Sequence, residues 1–155
     1  MTPVEAFINA TKQRAKAYYY IFEEFASELG EKKAKEVFSR AIYKFGEDKS
    51  KNFSNNSKKN PKNFGEEFVS NPISNKVFKQ KFLDGNDSQA RVEMKNCPLV
   101  EMWKEMGLSK EKISILCDIA HMVDFGKTES AGFKLKFNSR IADGDDCCLL
   151  EIQNK

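Results

Sequence analysis

The first thirty residues carry apolar side chains at three- and four-residue spacings, with polar residues between them. This periodicity predicts one amphipathic helix over residues 3–29. Thr2 is placed to cap its start, Pro3 suits the first helical position, and Gly30 suits its end.

A second apolar stripe follows and predicts a helix over residues 31–45, ended by Gly46. Together the two helices form a hairpin, and each must bury its stripe against another element. Residues 47–63 are rich in Lys, Asn and Ser and nearly free of aliphatic residues, which predicts an exposed polar loop. Apolar residues return over 64–83, where Pro72 is expected to divide two short helical pieces.

Further along the chain the period changes from helical to two. Residues 90–94 and 133–137 alternate between apolar and polar side chains, as in half-buried strands. The sequence 143–146 is a strong turn signal before a last strand. In that strand the pleat sends Cys148 to the interior and Cys147 to the opposite side.

Two more helices are predicted between these strands. One covers residues 98–106 and is stopped by Gly107; the other is capped by Ser109 and runs over 110–125. The whole pattern predicts an α+β fold, in which an N-terminal helical hairpin and further helices pack on a small antiparallel sheet. We expect residues 1–155 to form a single domain.

Composition narrows the class of protein. The 155 residues are 40% hydrophobic and 32% charged, with a net charge of +3. A nucleic-acid site usually needs a stronger basic stripe, and no apolar run approaches the ~20 residues that cross a bilayer. We therefore expect a small-molecule partner, no nucleic acid and no membrane. The N-terminus lacks the features of a secretory signal, so a cytoplasmic location is expected.

Four cysteines bear on the chemistry: Cys97, Cys117, Cys147 and Cys148. In a reducing cytosol we expect thiols rather than disulfides, and no CxxC motif is present. We predict no cofactor. The alternative is zinc held by a set of Cys, His and Asp side chains, since these ligands bind soft divalent metals: Cys97, Cys117, His121, Asp124 and Cys148.

Cys117, His121 and Asp124 lie at i, i+4 and i+7, and on one continuous helix they would share a face. His121 could then lower the thiol pKa of Cys117, and Asp124 could orient a base or hold a substrate amine. Each residue also has a plainer interpretation: Cys117 as core, His121 as a surface residue, and Asp124 as a charge near a helix end, where the dipole disfavours it.

Cys97 precedes Pro98 at a strand-to-helix junction. The free N–H groups of the helix that follows can depress a thiol pKa or bind a carboxylate. Alternatively, Cys97 is a small residue that fills a tight bend.

Five short motifs occur in a recognisable order. They are Asn96–Val100, Trp103–Gly107, Leu116–Ala120, Asp124, and Ile141–Asp145 followed by Cys148. In these motifs the chain resembles the L-2-amino-thiazoline-4-carboxylic acid hydrolase family. The resemblance covers about the last 60 residues, whereas the N-terminal helices match only in kind.

The resemblance implies an α+β domain that is distantly similar to the 4-vinyl reductase domain. It also implies ring opening of 2-amino-thiazoline-4-carboxylate to N-carbamoyl-cysteine. Cys97, Cys117, Asp124 and Cys148 sit at the family's Cys and Asp positions and are the candidate catalytic residues. Trp103, His121 and Asp145 are the candidate substrate-binding residues, although His121 is outside the shared pattern.

Two functions remain open from the sequence. The first is a hydrolase that acts on a C–N bond of a small cyclic amidine, with a thiolate of Cys117 or Cys97 attacking the amidine carbon and Asp124 handling protons. The second is a module that binds a small molecule or metal without chemistry, because one His leaves little acid–base apparatus. The aromatic stripe of the hairpin could also serve a homo-oligomer.

Overall fold

A computed structural model describes residues 1–155 as seven α-helices and one four-stranded antiparallel sheet, which confirms the predicted α+β class. Single 3-10 turns occupy Ser57–Lys59 and Ile141–Asp143. The helices are α1 (Pro3–Leu29), α2 (Glu31–Ser50), α3 (Pro61–Phe68), α4 (Pro72–Phe78), α5 (Pro98–Glu105), α6 (Lys110–Ala120) and α7 (Met122–Ser130). The strands are β1 (Gln80–Gly85), β2 (Gln89–Met94), β3 (Phe133–Ser139) and β4 (Cys148–Asn154).

The sheet has the strand order β1-β2-β4-β3, so that β2 and β4 are its central strands. Alternate residues of β4 are buried, beginning with Cys148, whereas Cys147 is half-buried. Val92 of β2 pairs with Leu150 of β4 on the buried face. The predicted parity of the last strand is therefore confirmed, and the two adjacent cysteines point to different sides.

The first helix has the predicted bounds. Thr2 caps it reciprocally: its Oγ1 accepts from the Glu5 N–H at 3.1 Å, and Glu5 Oε2 accepts from the Thr2 N–H at 2.7 Å. Gly30 follows with a φ of 82°, which turns the chain into α2.

The predicted end of α2 at Gly46 is wrong, since the helix continues to Ser50. Gly46 is instead the point where α2 crosses α7. A Cβ atom on Gly46 would lie 2.2 Å from the Val123 carbonyl oxygen, and one on Gly126 would lie 2.2 Å from the Tyr43 carbonyl oxygen. These two glycines thus allow backbone-to-backbone contact that any side chain would prevent.

The predicted polar loop 47–63 is also shorter than expected. Its first residues belong to α2, and α3 begins at Pro61, where the Asn60 side chain accepts from the Asn63 N–H at 2.8 Å. The prediction of helix for the last residues of 64–83 is wrong, because residues 80–85 form the edge strand β1. A bulge between Phe82 and Asp84 interrupts the pairing with β2, and this irregularity hides the period of two in the sequence.

The helix predicted over 110–125 is divided at His121 into α6 and α7. The His121 N–H still bonds the Cys117 carbonyl at 2.9 Å, and the N–H groups of Asp124 and Phe125 both bond the His121 carbonyl at 2.9 and 3.2 Å. His121 is therefore both the C-terminal cap residue of α6 and the N-terminal cap residue of α7. The break frees α7 to turn towards α2.

Two hydrophobic clusters make up the core. One joins α1 and α2 to α5 and α6, with Phe22, Trp103 and Leu116 fully buried. The other joins α3 to the sheet and includes Phe64 and Leu150. The helical hairpin thus packs on α5 and α6, and α3 packs on the sheet.

None of the helices is long and apolar enough to cross a membrane, although α1 has 27 residues. The outer side of α1 exposes several large apolar side chains, among them Tyr20, Ile21, Phe25 and Leu29. Assembly of two copies through this side of the hairpin stays a prediction.

Because α2 and α7 cross so closely, one methyl group added at the crossing should strongly destabilise the fold. Gly126→Ala should lower the free energy of unfolding by about 2 kcal/mol, because the neighbouring atoms are backbone and cannot move aside independently. Urea unfolding followed by circular dichroism measures the change.

Gly65→Ala is the matched control. Gly65 is also a buried helical glycine, but the atoms nearest to its added Cβ belong to the side chains of Phe82 and Ala90, at 3.1 and 3.3 Å. Its effect should be clearly smaller. Equal losses in the two variants would contradict the assigned role of the crossing.

Candidate functional site

A cavity of about 160 Å³ lies where the two hydrophobic clusters meet. By volume it holds on the order of ten waters, which is the size of a small metabolite. Its walls come from α1, α2, α4, the break between α6 and α7, the first two turns of α7, and the strand-to-helix junction before α5. The sheet closes the remaining side.

One row of side chains crosses the sheet at this wall. Gln80 of β1 pairs with Met94 of β2, and Met94 pairs with Cys148 of β4. Because paired residues share a face, all three side chains line the cavity. The Gln80 amide donates its N–H to Met94 Sδ at 3.7 Å, and its buried Oε1 has no hydrogen-bond partner.

Asp124 is the single carboxylate on the cavity wall, and it is 8% exposed. Its Oδ2 lies 3.2 Å from His121 Nδ1 and its Oδ1 lies 3.0 Å from Lys127 Nζ. Burial acts to raise the pKa of Asp124, but Lys127 and His121 outweigh it and hold the pKa at about 2. The carboxylate is therefore charged at every physiological pH.

Two further cations line the cavity without an ion-pair partner. They are Arg14 of α1 and Lys49 of α2, which stands 4.9 Å from the centre of the Phe45 ring. Burial lowers the pKa of Lys49, and the like charges of Lys127 and Arg14 lower it further. The three cations are thus close enough to repel one another, and Asp124 balances only one of them.

Two thiols line the cavity, and both are protonated at neutral pH. Burial raises the pKa of Cys97, although the N–H groups of Leu99 and Val100 at the start of α5 partly oppose it. Burial also raises the pKa of Cys148 to about 11, again against an N–H donor, that of Ile141 at 3.4 Å from Sγ. The expected depression of the Cys97 pKa by the helix N-terminus is outweighed by desolvation.

The sequence from residue 10 to residue 152 matches the family model for L-2-amino-thiazoline-4-carboxylic acid hydrolase. This range includes the α1–α2 hairpin as well as the C-terminal motifs, so it is wider than the resemblance noted from the sequence. The chain belongs to the L-2-amino-thiazoline-4-carboxylic acid hydrolase family.

No curated protein sequence matches this member of the hydrolase family. Among solved structures, one match is the crystal structure of a trafficking protein particle complex subunit 3 from Naegleria fowleri covalently bound to palmitic acid. It is 14% identical, the match covers 100% of this chain and 84% of that one, and the TM-score is 0.47. At this level the likeness carries no argument about function, and the similarity to the 4-vinyl reductase domain stays a prediction.

The expected stripe of Cys117, His121 and Asp124 is not a single helix face in this hydrolase-family chain. The break at His121 places His121 and Asp124 on the cavity, whereas Cys117 is buried in the helical cluster and is not part of the wall. Burial raises the pKa of Cys117 well above its ordinary value. Asp124 lies in the first turn of α7, where the dipole favours its charge, so the expected unfavourable helix-end position is wrong.

Trp103 and Asp145, two candidate substrate-binding residues, lie outside the cavity wall. Trp103 is fully buried, and its Nε1 donates to the Ala15 carbonyl at 2.8 Å, which fixes α5 against α1 next to Arg14. Asp145 accepts from the Arg140 N–H at 2.9 Å through Oδ2 and shapes the turn before β4. Both therefore position other parts of the site.

Several polar residues of the wall were not found from the sequence, among them Arg14, Lys49, Gln80 and Lys127. Two spacings could have revealed the first pair. Phe7 and Arg14 are seven apart on α1, and Phe45 and Lys49 are four apart on α2, so each pair shares a helix face. The sequence does not reveal Gln80, because its segment lacks the regular period of a strand.

The zinc alternative has no preformed set of ligands. No group of three or more His, Cys, Asp or Glu side chains is arranged to hold a metal ion.

The low pKa of Asp124 predicts an acid-dependent loss of stability. Because its folded pKa of about 2 lies below the ordinary 3.8, the charged form stabilises the fold above about pH 4, and this contribution is lost as the pH falls through about 2. Asp124→Asn removes about 2 kcal/mol at neutral pH and should flatten the acid part of the stability curve. Urea unfolding at several acidic pH values measures both effects.

Lys127→Gln provides the internal comparison. It removes the partner that most lowers the Asp124 pKa, so the acid-dependent loss should shrink without disappearing. Stability curves of the wild type and Asp124→Asn that run parallel through the acid range would contradict this assignment.

The buried thiols predict slow alkylation in the native protein. At about pH 7, Cys97, Cys117 and Cys148 should react with iodoacetamide at least roughly tenfold slower than free cysteine, since the thiolate is the reactive form. Mass spectrometry of labelled peptides gives each rate, and the same labelling in urea is the control. One of the three reacting as fast as free cysteine would contradict the prediction.

Proposed function

We propose that this chain hydrolyses a small cyclic amidine that carries a carboxylate, by opening the ring at the amidine carbon. One observation carries the proposal: a single cavity of metabolite size combines two thiols, a His–Asp pair and unbalanced cations. Membership of the hydrolase family agrees with this combination.

The His–Asp pair would act as the general base. Asp124 stays charged and holds His121 through Nδ1, which leaves Nε2 to take a proton. The imidazole also packs on the Phe137 ring, with a centroid distance of 4.1 Å, so its orientation is fixed from two sides. This pair supplies the acid–base apparatus that a lone His would lack.

Cys97 is the thiol that we assign as nucleophile. It is neutral in the free protein, and the two N–H groups at the start of α5 are placed to stabilise its thiolate as the proton leaves. Its Sγ would bond to the amidine carbon while the thiol proton passes to His121. The ring heteroatom would then leave with that proton, and water would add to the carbon as Sγ departs.

The two possible products of the proposed reaction differ in the ring bond that breaks. N-carbamoyl-cysteine keeps both nitrogens on the former amidine carbon, so its formation breaks the ring C–S bond and frees a thiol. Opening of the C–N bond, expected from the sequence, would give S-carbamoyl-cysteine and a free amine instead. Mass spectrometry with thiol labelling separates the two products.

A second candidate is a module that binds the same ligand without chemistry. The raised pKa values of Cys97 and Cys148 favour it, because neither thiol is activated before a ligand arrives. The two candidates differ in one measurement. A binding module holds 2-amino-thiazoline-4-carboxylate unchanged, whereas a hydrolase consumes it.

The hydrolase proposal predicts a specific pattern of variant activities on 2-amino-thiazoline-4-carboxylate. Cys97→Ser should abolish turnover, and Asp124→Asn should lower kcat by roughly a hundredfold or more, as loss of general-base action does. Cys117→Ala is the matched control: it removes a thiol that is off the cavity, so it should keep kcat while losing stability. Product release, followed by mass spectrometry, gives kcat and KM.

Circular dichroism at the assay temperature establishes that each variant is folded. Folded wild type without turnover would remove the hydrolase proposal and leave the binding module. Turnover that survives in Cys97→Ser but not in Asp124→Asn would replace thiol attack by direct attack of water.

A further inference from the structure

The His–Asp pair belongs to a longer row of side chains in the cavity wall. In order, the row is Phe68, Lys127, Asp124, His121 and Phe137. Lys127 Nζ lies 4.1 Å from the centre of the Phe68 ring and 3.0 Å from Asp124 Oδ1, and Asp124 Oδ2 lies 3.2 Å from His121 Nδ1. The proposed chemistry uses only the carboxylate and the imidazole, so it leaves the lysine without a role.

We infer that Lys127 is a positioning residue: it binds one oxygen of Asp124 and thereby keeps His121 a neutral base. The inference rests on the proposed function, since that is where His121 acts as the base. A carboxylate beside an imidazole favours the imidazolium, because opposite charges attract. An imidazolium has no free nitrogen to accept a proton and cannot act as a general base. An ammonium on the same carboxylate opposes this effect.

The fold holds Lys127 in this position. His121, Asp124 and Lys127 follow one another at three-residue spacings, which places them along one side of α7 and its cap. The ring of Phe68, from α3, contacts the ammonium from another direction. The Lys127 side chain is only 18% exposed, so solvent screens its charge weakly.

The charge of Asp124 is balanced mainly by this lysine. Burial acts to raise the pKa of Asp124, and among the groups that lower it Lys127 acts most strongly, ahead of His121. Less of the carboxylate's attraction therefore remains for a proton on the imidazole. The direct repulsion between the ammonium and an imidazolium acts in the same direction.

Other charges reach His121 from an open groove on its second side. There Asp118 of α6 bonds both Lys35 of α2 and Arg140, and Arg140 also bonds Asp143. Two anions thus balance two cations within this network. The network therefore gives His121 little net charge to respond to.

The remaining cations near His121 are exposed. Lys136 of β3 lines the groove, and Arg14 and Lys49 line the cavity. Solvent and salt screen exposed charges, so each acts on the imidazole more weakly than the half-buried lysine does. Lys127 is therefore the cation that should decide the protonation of His121.

Nuclear magnetic resonance tests the inference without turnover, because His121 is the single histidine of the chain. The ring Cε1–H signal of untagged protein is followed against pH. Lys127→Gln keeps a hydrogen-bond donor but removes the charge, so His121 should take up its proton at a pH higher by about one unit. Lys127→Arg keeps the charge and should restore the wild-type titration. Lys127→Met removes the charge by a second route and should match Lys127→Gln.

The same shift should appear in catalysis. On 2-amino-thiazoline-4-carboxylate, the acid limb of the kcat/KM profile should move up by the same amount in Lys127→Gln. Activity at about pH 5.5 then falls roughly tenfold, whereas activity above about pH 8 is kept. A lysine that only stabilised the fold would lower activity at every pH or at none.

Lys136→Gln is the matched control, because it removes an exposed cation from the other side of His121. It should leave the titration almost unchanged. An unchanged titration in folded Lys127→Gln and Lys127→Met would overturn the inference. Equal shifts in Lys136→Gln and Lys127→Gln would do the same, and so would failure of Lys127→Arg to restore the wild-type titration.

The two readouts separate this inference from the proposed hydrolysis. The upward shift of the His121 titration, found in a folded protein without turnover, would sustain the role of Lys127 and remove the hydrolase. Turnover whose acid limb stays in place in Lys127→Gln would sustain the hydrolase and overturn the role of Lys127.

Discussion

The contact between Gly46 and Gly126 is the constraint on which the rest of the site depends. Without side chains at these positions, α2 and α7 approach until their backbones touch. The crossing brings the first turn of α7 against the last turns of α2, so that Asp124 and Lys49 line one cavity. The absence of two Cβ atoms thereby sets how closely the groups of α2 and α7 that line the cavity approach one another.

The electrostatics of the cavity follow from a competition between burial and pairing. Desolvation alone would raise the pKa of Asp124, but one lysine and one histidine beside it lower the pKa by more. No comparable partner lies beside Cys97 or Cys148, and there desolvation prevails and both thiols stay protonated. The same wall therefore holds a charged carboxylate and two protonated thiols, because only the carboxylate has cationic partners beside it.

The period of apolar residues predicts an element correctly where one side of that element packs on the core along its whole length. The bounds of α1 and the parity of β4 followed from the sequence because each has a regular apolar side. It failed where tertiary contact overrides a local preference. Gly46 resembles a helix stop, but it is a crossing point, and β1 is concealed by its bulge.

The same limits apply to the site. Cys97, His121, Asp124 and Cys148 were candidates from residue type and resemblance, and all four line the cavity. Periodicity grouped Cys117 with them only by assuming one helix, and the break at His121 separates it from the wall. Arg14, Lys49 and Gln80 come from elements that are distant in the sequence, so that they share one cavity follows only from the fold.

The arrangement of charge from outside to inside has a kinetic consequence. Arg14 and Lys49 are exposed at the cavity, whereas Asp124 is buried in its wall. An anion that approached through solvent would meet positive potential first, so its rate of capture would depend on ionic strength. Its rate of escape would depend instead on the contacts made with the buried part of the wall, which salt screens less. Capture and retention of such an anion would thus respond differently to salt.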